Sequence, residues 1–147
     1  MTVKSPLLIW FAQSPLCEGL SEDEVSQVFD LFDVKEYPQN TPLYREGEPA
    51  DALYVVLEGR VEVSRRGTQL GDIGPGSSVG EMSLFMKATT RSATVMTATA
   101  VTVLRIDRGR FREALIARDV PAMLVANLAE QLADRLATVN KQLASGK

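Results

Sequence analysis

Residues 53–63 read Leu53-Tyr54-Val55-Val56-Leu57-Glu58-Gly59-Arg60-Val61-Glu62-Val63, and the fold turns on them. Two short β-branched runs flank Glu58-Gly59, where glycine supplies the positive φ of a tight hairpin. The same texture continues on both sides. Gly67, Gly71, Gly74, Pro75 and Gly76 mark closely spaced turns, and Ala93–Thr97 and Val101–Ile106 are two further runs of strand composition. Strands this short and this regularly spaced predict two sheets that share a core. Between them lies no stretch long enough for the crossover helices of a doubly wound parallel sheet.

Outward from this centre the period becomes helical. Ser21-Glu22-Asp23-Glu24 has the form of a capping box, and Val25, Val28, Phe29 and Phe32 follow at helical spacing. An amphipathic helix over about 21–35 is predicted. The apolar run Leu7–Phe11 is far short of a membrane span and reads as a helix docked on the core. After Pro121, Leu124, Leu128, Leu132, Leu136, Val139 and Leu143 hold one apolar face for about five turns. That stripe can pack on the chain's own strands or on a second copy of itself.

The expected architecture is mainly β with flanking helices: a single domain over 1–147, jelly-roll-like. Its parts are N-terminal helices over about 1–36, a β-roll of about eight strands over about 37–107, and C-terminal helices over about 108–145. A length of 147 residues suits one well-buried domain.

Composition closes most routes to catalysis. The chain has no histidine and one cysteine, Cys17, which removes Ser-His-Asp triads, His-ligated metals, disulfides and Cys-ligated clusters. Sixteen Lys and Arg against nineteen Asp and Glu leave a net charge of −3, so no basic excess exists to hold a nucleic-acid backbone. The chain reads as a cytoplasmic, non-enzymatic protein with no nucleic-acid or membrane partner and no metal or prosthetic group.

One stretch carries binding chemistry. Gly80-Glu81-Met82-Ser83 opens a short helical segment, where backbone N–H groups can face an anion. Arg91 adds a planar fork suited to two phosphate oxygens, and Ser92 a hydroxyl donor. Glu81 would repel a phosphate but accepts a hydrogen bond from a sugar hydroxyl. One half that holds an anion and one that reads a hydroxyl together describe a sugar phosphate or nucleotide. A surface ion pair between Glu81 and Arg91 is the plainer reading of the same two residues.

Several linked motifs make the chain resemble the cyclic nucleotide-binding domain of the bacterial catabolite activator and Crp–Fnr type. They are Tyr44-Arg45-Glu46-Gly47-Glu48-Pro49-Ala50-Asp51, Leu53 to Val61, Leu70-Gly71-Asp72-Ile73-Gly74-Pro75-Gly76, and Gly80-Glu81 with Arg91-Ser92-Ala93-Thr94. The last set is similar to the family's phosphate-binding cassette. The resemblance implies that Glu81 holds the ribose 2′-OH, Arg91 the cyclic phosphate and Ser92 a phosphate oxygen. The backbone of Gly80, Met82 and Ala93 would line the same pocket, with Ser83 beside it. Val79 stands where the family commonly has an aromatic residue before the glycine. On the long helix the base-contact positions fall at Val139 and Asn140, with Thr138 just before. The implied ligand is cAMP or cGMP. The implied partner is a second copy of the chain, paired through the C-terminal helix, or an effector protein. The alternative is a nucleotide-independent interaction module on the same fold.

Overall fold

The computed structural model describes residues 6–85 and 89–145, with the side chains of 135, 136 and 138–145 excepted. Helix α1 (Pro6–Ala12) leads through a 3-10 turn at Pro15–Cys17 to α2 (Glu22–Phe29). Eight strands follow among the described residues: β1 (Asp33–Tyr37), β2 (Pro42–Tyr44), β3 (Ala52–Glu58), β4 (Val61–Arg65), β5 (Thr68–Ile73), β6 (Ser78–Val79), β7 (Thr94–Thr97) and β8 (Val101–Asp107). The short α3 (Met82–Phe85) interrupts them, and α4 (Arg108–Ile116) and α5 (Ala122–Ser145) close the chain.

The strands form two antiparallel sheets, ordered β1-β8-β3-β6 and β2-β7-β4-β5. β3 explains the layering. Its first six residues are all buried, because both of its faces are covered. Leu53, Val55 and Leu57 face a helix-side core with Phe11, Leu16, Val28, Phe111, Leu124 and Leu128. Ala52, Tyr54 and Val56 face a second core between the sheets, with Val61, Val79, Val95, Val101 and Val103. Each fully buried Val or Leu contributes roughly 1.5–3 kcal/mol relative to exposure, so β3 anchors both layers at once.

Two local expectations are corrected. The chain over Glu58-Gly59-Arg60 is no hairpin: β3 pairs with β8 and β6, while β4 pairs with β5 and β7. The segment instead crosses from one sheet to the other. Gly59 is required there, with φ +88° and Ala100 O in the place a Cβ would take. The second correction is at α2, whose capping box forms as read but which stops at Phe29 rather than about 35. The N–H groups of Leu31 and Phe32 close tighter turns onto Val28 and Phe29. Asp33–Tyr37 then pairs along its whole length with β8, so the β-roll begins at 33 rather than 37. Phe32 remains largely buried, which is why the apolar signal outlasts the helix.

Helix α5 settles half of its own question. Leu124 and Leu128 pack into the helix-side core. The buried Asn127 amide donates to Leu16 O at 2.8 Å and Glu18 O at 2.9 Å, fixing the helix to the 3-10 turn. The side chains of Leu136, Val139 and Leu143 lie outside the described residues.

Candidate functional site

The site is built where β3 and β6 end side by side. β6 pairs with β3 through Tyr54↔Val79 and Val55↔Ser78, and the chain then turns at Gly80, whose φ is +89°. That turn places Glu81 inward at 1 % exposure. It also starts α3, which is held down by the buried Leu84 and by an edge-to-face contact of Phe85 with Phe111 at 5.9 Å. The Ser83 hydroxyl bonds back to Gly80 O, so it braces the turn. Val79 is buried in the core between the sheets, and Met82 is exposed.

The other wall comes from residues 89–92. Arg91 N–H donates to Glu48 O at 2.7 Å, Gly47 N–H donates to Arg91 O at 2.8 Å, and Ala50 N–H donates to Thr89 O at 2.9 Å. The loop 47–50 and the segment carrying Arg91 are therefore one laced ribbon. Ser92 is exposed, and its carbonyl accepts from Arg65 Nε at 2.9 Å. Ala93 is half-buried beside it.

Arg91 is turned inward and is 6 % exposed. Its guanidinium lies on the ring of Tyr44, with Cζ 3.8 Å from the centroid, a favourable place for a cation. Nη2 donates to Ala52 O at 2.9 Å. A carboxylate oxygen of Asp51 stands at 3.9 Å, but that side chain is 67 % exposed, so solvent screens the pair. Buried Nε has no hydrogen-bond partner among the described residues. Nη1 sits 2.7 Å from where a Cβ on Gly80 would stand, so the guanidinium presses against the bare backbone of the turn that carries Glu81.

The two residues singled out in the sequence thus both lie beside Gly80. They do so as two buried groups flanking Gly80, not as a surface ion pair. Glu81 Oε2 accepts from Ser78 Oγ at 2.6 Å, and Ser78 Oγ lies 3.0 Å from Oε1 of Gln131 on α5. Behind Tyr44 the wall continues through Tyr54, whose ring centroid is 5.9 Å away. The Tyr54 hydroxyl accepts from Arg105 Nε at 3.3 Å. Burial lowers the pKa of Arg105, but that hydrogen bond and the nearby Tyr54, Asp51 and Asp107 charges together raise it above its usual value.

Tyr44, Ser78 and Gln131 were not foreseen as site residues. Tyr44 was visible only as part of a motif, and Ser78 and Gln131 meet across 53 residues of chain with no periodic signal. The side chains of Thr138 and Asn140 lie outside the described residues.

Comparison with known proteins bears on the family and the fold. Residues 34–118 match the family described as the cyclic nucleotide-binding domain. Glutaminase 1 of Bradyrhizobium diazoefficiens is 36 % identical over 136 residues, covering 90 % of this chain and 22 % of that enzyme. The cyclic AMP receptor protein of Thermus thermophilus is 36 % identical over 138 residues, covering 88 % of this chain and 61 % of that protein. The crystal structure of the Thermus thermophilus catabolite activator protein superposes with a TM-score of 0.79 at 34 % identity, over 89 % of this chain and 62 % of that one. The chain therefore spans less than two thirds of each of these relatives.

Proposed function

The chain belongs to the cyclic nucleotide-binding domain family, and from that premise we propose that it is a non-enzymatic receptor for a cyclic purine nucleotide, cAMP before cGMP. The named ligand of the Thermus relative supports cAMP as the first choice. In this reading Arg91 takes the cyclic phosphate, Ser92 a phosphate oxygen and Glu81 the ribose 2′-OH. The backbone of Gly80, Met82 and Ala93 lines the pocket between them. A second copy or an effector protein reads the response of α5.

One observation carries the reading: Arg91 is a buried guanidinium whose Nε has no hydrogen-bond partner among the described residues, and the Asp51 carboxylate it pairs with is solvent-screened. Burying a charge without a matched partner is costly, and a phosphate diester supplies both the missing charge and the missing acceptor.

Titration calorimetry with cAMP and cGMP tests the proposal. Arg91→Ala leaves the bound phosphate unpaired and should cost roughly 2–5 kcal/mol, a weakening of about 30- to 4,000-fold. Near-equal affinity of wild type and variant would refute the assignment. A wild-type chain whose melting temperature ignores saturating cyclic nucleotide would leave the nucleotide-independent interaction module standing.

A further inference from the structure

Glu81 does not stand alone in its pocket. Its carboxyl is buried at 1 % exposure, and so is Ser78 at 3 %. The 2.6 Å contact from Ser78 Oγ to Glu81 Oε2 is in the range of a short hydroxyl–carboxylate bond. Ser78 is fixed by the backbone of β6, paired to the central strand β3 at Val55. Its oxygen also meets the amide of Gln131 at 3.0 Å. A serine has one proton, and Glu81 takes it. The structure places Gln131 Oε1 against Ser78 Oγ; the amide turned about its last bond would instead offer an N–H to the Ser78 lone pair. With the amide so turned, the donors would run in one direction, from α5 through Ser78 to the carboxyl.

Gln131 lies one turn beyond Asn127 and Leu128, which lock α5 to the core. The relay therefore joins the hydroxyl-reading group of the pocket to a fixed point on the C-terminal helix. We propose that Ser78 and Gln131 are positioning residues for ribose recognition, aiming the Glu81 carboxyl at the 2′-OH and making its aim depend on how α5 is docked. This rests on the receptor reading above and adds to it two residues that touch neither phosphate nor base.

Calorimetry of the whole chain with cAMP and with 2′-deoxy-cAMP measures the discrimination directly. Wild type should prefer the ribonucleotide. Ser78→Ala should lower that preference about 10- to 150-fold, the loss of one hydrogen bond to a carboxylate. Its affinity for 2′-deoxy-cAMP should change less than about 2-fold. Gln131→Met, which keeps length and helix propensity, should lower the preference about 3-fold. Ser78→Thr restores the hydroxyl and should recover it. A purely structural role would weaken both ligands alike, and equal preference in wild type, Ser78→Ala and Gln131→Met would overturn the proposal while leaving the receptor reading intact. If Ser78→Ala does not fold, Gln131→Met decides. Wild type that binds neither ligand would defeat the receptor reading, and the proposal with it.

Discussion

Replacing Gly80 by alanine tests the geometry of the pocket without any ligand. The residue has φ +89°, and an added Cβ would lie 2.7 Å from Ala52 O and 2.7 Å from Arg91 Nη1. Holding a non-glycine residue in that backbone region costs about 1–3 kcal/mol. The first overlap cannot be relieved cheaply, because Ala52 belongs to β3, bonded on one side to β8 and on the other to β6. The second can be relieved by moving a side chain. Together these predict a loss of about 2–5 kcal/mol. For a chain of this size that is a fall of roughly 5–20 °C in melting temperature, measured by circular dichroism on unliganded protein. Gly74→Ala, with no neighbour within 4 Å and no positive φ, should stay within about 0.5 kcal/mol of wild type. In an Arg91→Ala background one of the two overlaps is gone. Gly80→Ala should then cost less, by a coupling of about 0.5–2 kcal/mol. Gly80→Ala as stable as Gly74→Ala would refute the close approach of Arg91 and Ala52 to this turn.

Two further predictions address the frame around the site. Asn127→Ala strands the carbonyls of Leu16 and Glu18 and should destabilise the chain by about 1–3 kcal/mol, measured by urea denaturation. Burial pushes the Cys17 thiol from 9.0 up to about 12, so in that interval the unfolded state ionises while the folded thiol keeps its proton. Stability should fall as pH rises through this window, with a limiting slope of about 1.4 kcal/mol per pH unit. Below pH 9 the thiol should have no such effect, and Cys17→Ala should lack the added slope in urea titrations at pH 8 to 11.

What the sequence made legible is local. The Ser21 cap needs only Glu24 three residues on, and both reciprocal bonds form. Glu81 and Arg91 stand out because a carboxylate suited to a hydroxyl and a guanidinium suited to an anion frame one glycine-led helical segment. Pairing between strands is different. Glu58-Gly59 has the chemistry of a turn, and the chain does turn there, but turn chemistry says nothing about which sheet takes the next strand. That choice is made by burial on both faces of β3, which leaves β8 and β6 as its neighbours. Strand β1 makes the same point. Asp33–Tyr37 is mostly exposed and lacks an apolar alternation, so its existence depends on the edge that β8 presents 68 residues later, at Asp33↔Arg105 through Tyr37↔Val101. Tyr44 escaped for a related reason, since an aromatic ring announces burial but not the cation that lies on it.

The apolar stripe of α5 carries the last step. Read as a pattern it is uniform for five turns, yet the structure divides its duties. Leu124, Asn127 and Leu128 are buried against the chain's own core. Leu132 is half-buried, and the described side chains beyond it, Ala133, Asp134 and Ala137, are exposed. Gln131 sits at the changeover, and it is the residue that reaches Ser78. In the receptor reading, a perturbation at the Glu81 carboxyl would reach α5 through Ser78 at Gln131, one turn beyond the buried Asn127 and Leu128. A ligand moves such an equilibrium only by its differential affinity for the two arrangements. Taking α5 from one in ten to nine in ten needs about 80-fold, or ~2.6 kcal/mol. A single hydrogen bond to a charged group is worth about 1.5–3 kcal/mol, so under the proposed coupling the bonds around Glu81 are of the size that such a shift of α5 would require.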